Sequence, residues 1–144
     1  MTFHCMSNFV VKINHIVIKK LLTDNIALVF CAITHDQQGQ LLNTNADTIA
    51  AEIASAMTSD FEVHLHYCFE KKGVLMDIND SESVIEYIRK DELITLQNKE
   101  IIADGMLPKL HNCFYALENG VEKVFVGNTD MLESENTRKT SLIL

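Results

Sequence analysis

The chain has 144 residues, 47% of them hydrophobic, and this length and composition fit one globular domain with a sizeable core. Twenty acidic residues against twelve basic ones give a formal net charge of −8, which argues against a surface that follows the phosphates of a nucleic acid. The longest apolar run, residues 26–33, is too short to span a bilayer. The four cysteines form no C-x-x-C pair, so we expect reduced thiols in a soluble, cytoplasmic protein.

The first part of the chain alternates between helical and strand patterns. Apolar residues at helical spacing predict a first helix over residues 10–22. The continuous apolar run IALVFCAI, residues 26–33, predicts a strand that is covered on both faces, as in parallel sheets. A polar turn follows at residues 35–40. From Ala46 to Met57 apolar residues recur at i, i+3, i+4 and i+7, which predicts a second helix with a small-residue face.

The middle of the chain offers a clear strand and a less regular segment. FEVHLHYCF, residues 61–69, alternates apolar and other residues with the period of a strand, and a loop follows at Gly73. Residues 81–99 are charged and helical in flavour, and they predict two short peripheral helices.

The last third contains the helix with the best-defined ends. Residues 105–120 carry an apolar face, the only proline of the chain near the first turn, and Gly120 just past the end. Residues 122–127 predict another strand, and residues 140–144 are expected to close the edge of the sheet. Alternating helices and strands predict an α/β fold, a three-layer αβα sandwich with a mostly parallel central sheet, in a single domain over residues 1–144.

Several familiar site patterns are absent from the sequence or weak in it. His64, His66 and Cys68 share one face of the strand at 61–69, and an H-x-H pair can bind zinc. Three ligands in line on a strand span roughly 13 Å at ~3.3 Å per residue, and no second cluster of ligands exists, so we expect no metal site. The isolated glycines form neither a Walker nor a dinucleotide motif, and no G-x-S-x-G is present.

The stretch NTNAD, residues 43–47, is the first candidate for chemistry. Asn45 is the expected N-cap of the second helix, and Asp47 lies in the first turn of that helix. Capping explains these two residues but leaves Asn43 without a role. The stretch is therefore either an ordinary cap or part of an active site.

The stretch IIADGMLPKL, residues 101–110, is the second candidate. Asp104 and Gly105 open a helix whose first turn holds Lys109, and free backbone N–H groups beside an ammonium form a natural phosphate site. A plain Asp cap with a solvated lysine explains the same residues.

In this order and at these distances, the stretches resemble the acetylglutamate kinases of the amino-acid kinase family. The matching pieces are LLNTNADTIAAEIA (41–54), CFEKKGVL (68–75), IIADGMLPKL (101–110), ALENGVEKVFVG (116–127) and, weakly, TSLIL (140–144). The resemblance implies a carbamate-kinase-like fold and the ATP-dependent phosphorylation of the side-chain carboxylate of N-acetyl-L-glutamate, or of another N-acylglutamate, in the second step of arginine biosynthesis. It also implies Mg²⁺ that arrives with ATP and is held largely by the phosphates, so no metal ligand from the protein is expected.

The resemblance also implies roles for particular residues. Lys109 would lie against the transferred phosphoryl group, Asp47 would orient the catalytic lysines, and Asn43 would contact the N-acylglutamate. The nucleotide would be held by two stretches, Glu70, Lys71, Lys72, Gly73, Val74 and Leu75 in the first and Ile101, Ile102, Ala103, Asp104, Gly105 and Met106 in the second.

The chain departs from the family pattern in its length. These kinases are usually much longer, and their N-terminal part carries a strand-end lysine, two glycine-rich turns and a substrate-binding arginine that are not in this chain. Residues 1–9 do not resemble the family. The chain therefore looks like the C-terminal, nucleotide-binding portion of such an enzyme, and an alternative is a truncated, catalytically incompetent remnant that binds nucleotide or pairs with another subunit.

Smaller departures leave the substrate open. Glu70, followed by two lysines, stands where the family commonly has Asp, and Thr140-Ser141 stands where it has Gly-Thr. The acyl group could be acetyl or a larger one such as succinyl, and another carboxylate or a carbamate is a further alternative. An uncovered apolar face in such a portion predicts association of the chain, and we expect a homo-oligomer.

Overall fold

The computed structural model describes residues 12–102, 105–134 and 136–144. Its helices are α1 (His15–Thr23), α2 (Ala46–Met57), α3 (Leu93–Asn98) and α4 (Met106–Glu118). Its strands are β1 (Ile33–His35), β2 (Leu41–Asn43), β3 (His64–Cys68), β4 (Tyr87–Arg89), β5 (Lys123–Gly127) and β6 (Thr140–Ile143). Two short 3-10 helices cover Lys90–Glu92 and Thr129–Leu132.

The larger sheet has the strand order β3-β5-β6-β4. β3 runs parallel to β5 and β4 runs parallel to β6, whereas β5 and β6 are antiparallel. The predicted α/β class with a mostly parallel sheet is confirmed. The expectation that the C-terminal strand closes the edge is wrong, because β6 lies between β5 and β4 and β4 forms the edge.

The core lies where α2 and α4 pack on each other and on one face of the larger sheet. The apolar side chains that point inward from β3, β5 and β6 alternate with outward ones, as the period of a strand requires. α4 ends where predicted, with Gly120 at a φ of +93°. The buried residues that join helices and sheet are Ala51, Ala54, Tyr67, Leu110, Cys113, Phe114, Ala116, Val124, Val126 and Leu142.

α1 is the least buried of the long helices. It begins at His15, because the side chain of Asn14 accepts a hydrogen bond from the N–H of Val17 at 3.3 Å. Residues 10 and 11 of the predicted helix lie outside the described residues. Ile18 is its buried residue, and Lys19 pairs with Asp60 at the far end of α2. The helix is therefore attached to α2 along a narrow contact.

The predicted strand over residues 26–33 is wrong for most of its length. Residues 26–32 form no regular structure, and the strand starts only at Ile33, where β1 pairs with β2 in an antiparallel hairpin. The apolar run fits a covered strand, but the described residues supply a pairing partner only from Ala32 onward, through the N–H of Thr44. Because a strand needs neighbours, residues 26–32 remain without strand pairing in the part of the chain that the structure describes.

The two helices predicted over residues 81–99 are partly wrong. Only the second exists, as α3 preceded by a 3-10 turn, and the first is replaced by β4. Ile88 is fully buried between two exposed neighbours and pairs with Leu142 of β6. Pairing with a strand more than fifty residues away overrides the local helical pattern.

None of the helices in the described ranges has the length and apolar character needed to cross a membrane. Cys31 and Cys68 are exposed thiols and Cys113 is a buried one. Cys5 lies outside the described residues.

Candidate active site

The N-terminus of α2 is built by the NTNAD stretch. The side chain of Asn45 accepts hydrogen bonds from the N–H groups of Asp47 at 2.8 Å and Thr48 at 3.2 Å, so the predicted cap is confirmed. Asp47 sits in the first turn, where a carboxylate interacts favourably with the helix dipole. The cap thereby holds the Asp47 side chain at the end of the helix.

Lys109 meets Asp47 across the junction of α2 and α4. Its Nζ lies 2.7 Å from Oδ1 and 2.8 Å from Oδ2 of Asp47. The side chains are 17% exposed for Lys109 and 29% for Asp47, so the pair is sheltered but reachable from solvent. The two residues are 62 positions apart in sequence, and the packing of the two helices brings them together.

Tyr67 supports this ion pair from β3. Its hydroxyl donates a hydrogen bond of 2.7 Å to the backbone carbonyl of Asp47, and the Lys109 Nζ lies 5.0 Å from the centre of its ring. The side chain is buried, and burial raises the pKa of its phenol, with Cys113 and Asp47 adding to the effect. The sequence alone does not predict this role, because the strand period places Tyr67 on the inward face but does not show what its hydroxyl contacts.

Cys113 lies on α4, one turn after Lys109 of the ion pair. The sequence alone does not predict it as a site residue. The thiol is fully buried. Burial raises its pKa to about 12, although the Lys109 ammonium acts in the opposite direction. The thiol is therefore a neutral packing group, and the structure offers no activated nucleophile here.

Alkaline pH should destabilise the fold through these buried groups. Cys and Tyr ordinarily titrate near 9.0 and 10.0, and folding raises both pKa values, so the contribution to stability is complete below about pH 9 and is lost as pH rises toward 12. Each group can contribute a slope of up to about 1.4 kcal/mol per pH unit. Urea unfolding of Cys113→Ala between pH 8 and about pH 10.5 should show a shallower decline than the wild type. Cys68→Ala, which changes an exposed thiol, should decline like the wild type, and identical slopes for both variants would contradict the burial argument.

The ion pair sits at the carboxyl edge of the parallel strands β3 and β5. Tyr67 is the penultimate residue of β3 and bonds to the first turn of α2, while Lys109 lies in the first turn of α4. Two helix N-termini therefore converge at one end of the sheet. Open α/β sheets commonly bind ligands outside the carboxyl ends of their strands, and helix N-termini favour anions there.

The stretch Glu70–Leu75 follows β3 at this same edge. The Phe69 N–H donates to the carbonyl of Gly127, the last residue of β5, at 2.9 Å. The buried hydroxyl of Thr140 then fixes the loop, because it accepts from the Val74 N–H at 2.8 Å and donates to the Ile85 carbonyl at 2.7 Å. The loop is thereby anchored to the sheet rather than free.

The lysines of this loop differ in their surroundings. Lys72 pairs with Glu82, which also receives Arg138 at 3.1 Å, and the neighbouring ammonium of Lys72 holds the pKa of Glu82 below its usual value. Lys72 thus ties the loop to the turn at residues 77–83. Lys71 is half-buried, and Glu70 is exposed.

Gly73 is required by close packing. A Cβ at this position would stand 2.7 Å from both Thr140 Oγ1 and Val84 Cγ1, which is closer than real Cβ contacts allow. Gly73→Ala should lower the free energy of unfolding by about 1–3 kcal/mol and displace the loop. Urea unfolding measures this, with Ser81→Ala in the neighbouring exposed turn as the control. A Gly73→Ala protein as stable as the control would show that the loop yields without cost.

The second proposed nucleotide stretch is only partly described. Ile102 is buried, Gly105 precedes α4 at a position where an added Cβ would meet no described atom within 4 Å, and Met106 begins the helix. Ala103 and Asp104 lie outside the described residues. Ile101 is half-buried, and the stretch leads directly into the turn that carries Lys109.

Asn43 ends β2 on the exposed surface, opposite Ile33 in the hairpin and four positions before Asp47. The hairpin thus ends with Asn43 three residues before the start of α2 at Ala46. Its placement relative to Lys109 is set by the short connection Thr44–Asn45, in which Thr44 is buried and shares a hydrogen bond of 2.7 Å with Thr34.

The side chains at the site that could ligate a metal ion are few. In the part of the chain that the structure describes, no three His, Cys, Asp or Glu side chains group so that they could hold a metal ion. His64 contacts Glu62, and the His66 ring packs on Phe125 at 4.9 Å. At the ion pair itself both carboxylate oxygens of Asp47 are bonded to Lys109. The ammonium of Lys109 at this helix N-terminus therefore favours an anion beside the pair.

The amino-acid sequence of the chain is similar to those of known proteins. Residues 5–128 match the amino acid kinase family, and the chain belongs to that family. It is 46% identical over 115 residues to a protein of Parabacteroides distasonis named acetylglutamate kinase, and 48% identical over 115 residues to one of Phocaeicola vulgatus with the same name. Each match covers 80% of this chain and 45% of the relative. The chain thus spans less than half the length of these curated relatives.

A solved structure shares the fold. Carbamate kinase from Giardia lamblia bound to AMP-PNP superposes with a TM-score of 0.66 at 17% identity, covering 91% of this chain and 44% of that one. At this identity the likeness concerns the fold alone, and it agrees with the expected carbamate-kinase-like architecture.

Proposed function

We propose that the chain is the catalytic, nucleotide-binding portion of an N-acylglutamate kinase, which transfers the γ-phosphoryl group of ATP to the side-chain carboxylate of N-acetyl-L-glutamate. The observation that carries the proposal is the Asp47–Lys109 ion pair at two converging helix N-termini. Support comes from 46–48% identity to relatives named acetylglutamate kinase over the stretch that contains both residues' motifs. The proposal treats residues 1–144 as a single domain.

Lys109 would stabilise the charge that develops in the transfer. A carboxylate oxygen of the acceptor attacks the γ-phosphorus while the bond to the bridging oxygen breaks and ADP leaves. Such a reaction needs alignment and positive charge on the transferring oxygens rather than covalent help from the protein. The ammonium of Lys109 and the free N–H groups at the start of α4 supply both. Mg²⁺ brought by ATP would neutralise phosphate charge when bound.

Asp47 would act as a fixed anion. It holds the Lys109 ammonium through two hydrogen bonds, so the lysine stays charged and aimed. A general base is unnecessary, because a carboxylate acceptor is already ionised at neutral pH. Asn43, at the end of the hairpin, is the proposed contact to the N-acylglutamate.

The nucleotide would lie against the carboxyl edge of the sheet. We assign its binding to Glu70–Leu75 and to Ile101–Met106, since the first stretch follows the end of β3 and the second leads into the first turn of α4. The activity would serve the second step of arginine biosynthesis in the cytoplasm, a reducing compartment that suits the exposed thiols of Cys31 and Cys68. A homo-oligomer stays a prediction for the active enzyme, which light scattering under turnover conditions would test.

A second candidate is a nucleotide-binding or subunit-pairing remnant without catalysis. It is favoured by one observation, the 45% share of each relative that the chain covers. Calorimetry with Mg²⁺ and ATP separates binding from chemistry, since the kinase and a nucleotide-binding remnant both require binding and only the kinase makes product.

Turnover decides between the two candidates. The chain is incubated at high concentration with ATP, Mg²⁺ and N-acetylglutamate, and the acyl phosphate is trapped by hydroxylamine. A hydroxamate that depends on both substrates supports the kinase. Nucleotide binding without any hydroxamate supports the nucleotide-binding remnant, and a flat titration counts against both the kinase and that remnant.

A further inference from the structure

Tyr67 of β3 contacts both partners of the Asp47–Lys109 ion pair. Its hydroxyl donates to the backbone carbonyl of Asp47 at 2.7 Å. The centre of its ring lies 5.0 Å from the Lys109 Nζ, a distance at which the face of an aromatic ring attracts a cation. Asp47 belongs to α2, Lys109 to α4 and Tyr67 to the larger sheet, so this one side chain joins three elements.

The hydroxyl of Tyr67 is not needed for packing. The side chain is buried, and Leu65 precedes it on the same face of β3 without any polar side-chain atom. Phe114 of α4 likewise fills the core with an aromatic ring that has no hydroxyl. A buried hydroxyl loses its hydrogen bonds to water and costs free energy unless the protein supplies a partner. The partner here is the residue whose carboxylate holds Lys109, so the hydroxyl serves the ion pair rather than the core.

The bond from Tyr67 fixes Asp47 relative to the sheet. Tyr67 is paired in register with Val126 of β5, which holds its backbone in the parallel pair of strands. The side chain of Asn45 also fixes the first turn of α2, but those bonds lie within the helix and its cap. The Tyr67 hydroxyl ties that turn to the sheet at the residue that carries the carboxylate.

The ring limits where the Lys109 ammonium can lie. An ammonium has three N–H donors. Within the described residues the Nζ forms two hydrogen bonds, both to carboxylate oxygens of Asp47, at 2.7 and 2.8 Å. One donor therefore remains for a ligand. The aromatic face attracts the ammonium and offers no oxygen that would take this last donor.

We propose that Tyr67 is a positioning residue for the phosphoryl transfer, since its hydroxyl fixes Asp47 and its ring holds the Lys109 ammonium. This inference rests on the proposed function. Tyr67 exchanges no proton and touches no reacting atom. It acts through the ion pair, which it sets so that the remaining N–H of Lys109 meets a phosphoryl oxygen when the substrates are bound.

The phenol of Tyr67 remains a donor at neutral pH. Burial raises its pKa above the ordinary value of 10.0, and Cys113 and Asp47 act in the same direction. A phenolate could not donate to the Asp47 carbonyl, and its charge would be repelled by the Asp47 carboxylate. The neutral phenol therefore supplies the bond that the position of Asp47 requires.

The first experiment reads the placement of Lys109 without any need for turnover. The full chain is labelled at neutral pH with a limiting amount of acetic anhydride, and mass spectrometry measures the acetylation of Lys109 relative to Lys90. Tyr67→Phe removes the hydroxyl and keeps the ring, so the protein should stay folded. We expect the relative acetylation of Lys109 to rise at least about threefold, because a pair that has lost one fixing hydrogen bond opens more often.

Ser55→Ala is the matched control. Ser55 lies further along α2, and its hydroxyl donates to the backbone carbonyl of Ala51 at 2.8 Å. The change therefore removes the same kind of hydrogen bond from the same helix, away from the ion pair. Both the acetylation of Lys109 and the turnover of Ser55→Ala should match those of the wild type.

The second experiment measures turnover by the hydroxamate assay. Tyr67→Phe should lower kcat at least about tenfold and leave the KM for N-acetylglutamate within about twofold of the wild type. A misplaced ammonium weakens the transition state more than the binding of the acceptor. A role in stability alone would reduce the fraction of folded protein and leave kcat per folded molecule unchanged.

Three results would overturn the proposal: wild-type acetylation of Lys109 in Tyr67→Phe, a raised acetylation with an unchanged kcat, or equal effects of Tyr67→Phe and Ser55→Ala. The proposed function fails separately. A wild-type chain that forms no hydroxamate contradicts the kinase, whereas the acetylation of Lys109 still upholds or overturns the placement of the ammonium by Tyr67.

Discussion

Replacing Lys109 with Met is expected to lower the rate of acyl-phosphate formation at least about 100-fold, the size of effect seen when a group that stabilises transition-state charge is removed. Met keeps the length of the side chain and its packing over the Tyr67 ring but removes the charge. The protein should stay folded, because Asp47 is 29% exposed and water can solvate the carboxylate left behind. The hydroxamate assay measures the rate, and calorimetry should show weaker ATP binding.

Lys90→Met is the matched control for this variant. Lys90 pairs with Glu118, and both side chains are about half exposed. Lys90 follows the end of β4, which runs opposite to β3 and β5, so the pair lies at the other edge of the sheet from the Asp47–Lys109 pair. An exposed ion pair contributes little to stability, so the free energy of unfolding of Lys90→Met should match that of the wild type. Turnover should also match, because Lys90 is outside the candidate site. Equal rates for the Lys109 and Lys90 variants would contradict the role given to Lys109.

Truncation of Phe114 should produce the largest loss of stability among single changes in the core. The side chain is 2% exposed on the face of α4 that packs against the sheet, and its removal leaves a cavity that the surrounding residues fill only in part. Phe114→Ala should lower the free energy of unfolding by about 3–5 kcal/mol. Urea unfolding at neutral pH measures the change.

The next residue on α4 supplies the control. Tyr115 is 39% exposed, and Tyr115→Ala should cost about 1 kcal/mol or less. Similar losses in the free energy of unfolding for the two variants would show that the face of α4 with Phe114 is not the one that packs against the sheet.

The helices α2 and α4 could be predicted from the sequence because their determinants are local. α2 begins and ends where the spacing of apolar residues predicts, and its cap residue Asn45 is adjacent in sequence. α4 is delimited by its apolar face and by Gly120. In both cases a few residues within two turns determine the element, so no knowledge of distant contacts is needed.

The elements that were missed depend on distant partners. β4 forms because Ile88 pairs with Leu142, and segment 26–32 remains without regular structure because the described residues offer it no neighbouring strand. Likewise, the sequence predicts only a polar turn at residues 35–40, not the hairpin of β1 with β2. Strand pairing is decided by tertiary context, which the local pattern does not contain.

The site residues likewise divide into those that the sequence predicts and those that depend on distant contacts. Asp47 and Lys109 were singled out by motif resemblance, and the structure joins them directly. Tyr67 and Cys113 were not, because an inward-facing strand residue and a buried helix residue look like ordinary core until the ion pair is placed above them. The nucleotide assignments at Glu70–Leu75 stay predictions.

The most direct test of the proposed kinase is hydroxamate-trapped turnover of N-acetylglutamate by the chain at high concentration, measured for the wild type beside Asp47→Asn. Asn keeps the shape and the cap of α2 but loses the charge that aims Lys109. The account predicts substrate-dependent hydroxamate from the wild type and a rate at least about 100-fold lower for Asp47→Asn, with little change in the urea midpoint. Equal rates for the two proteins, or no hydroxamate from a wild-type chain that binds ATP, would contradict it.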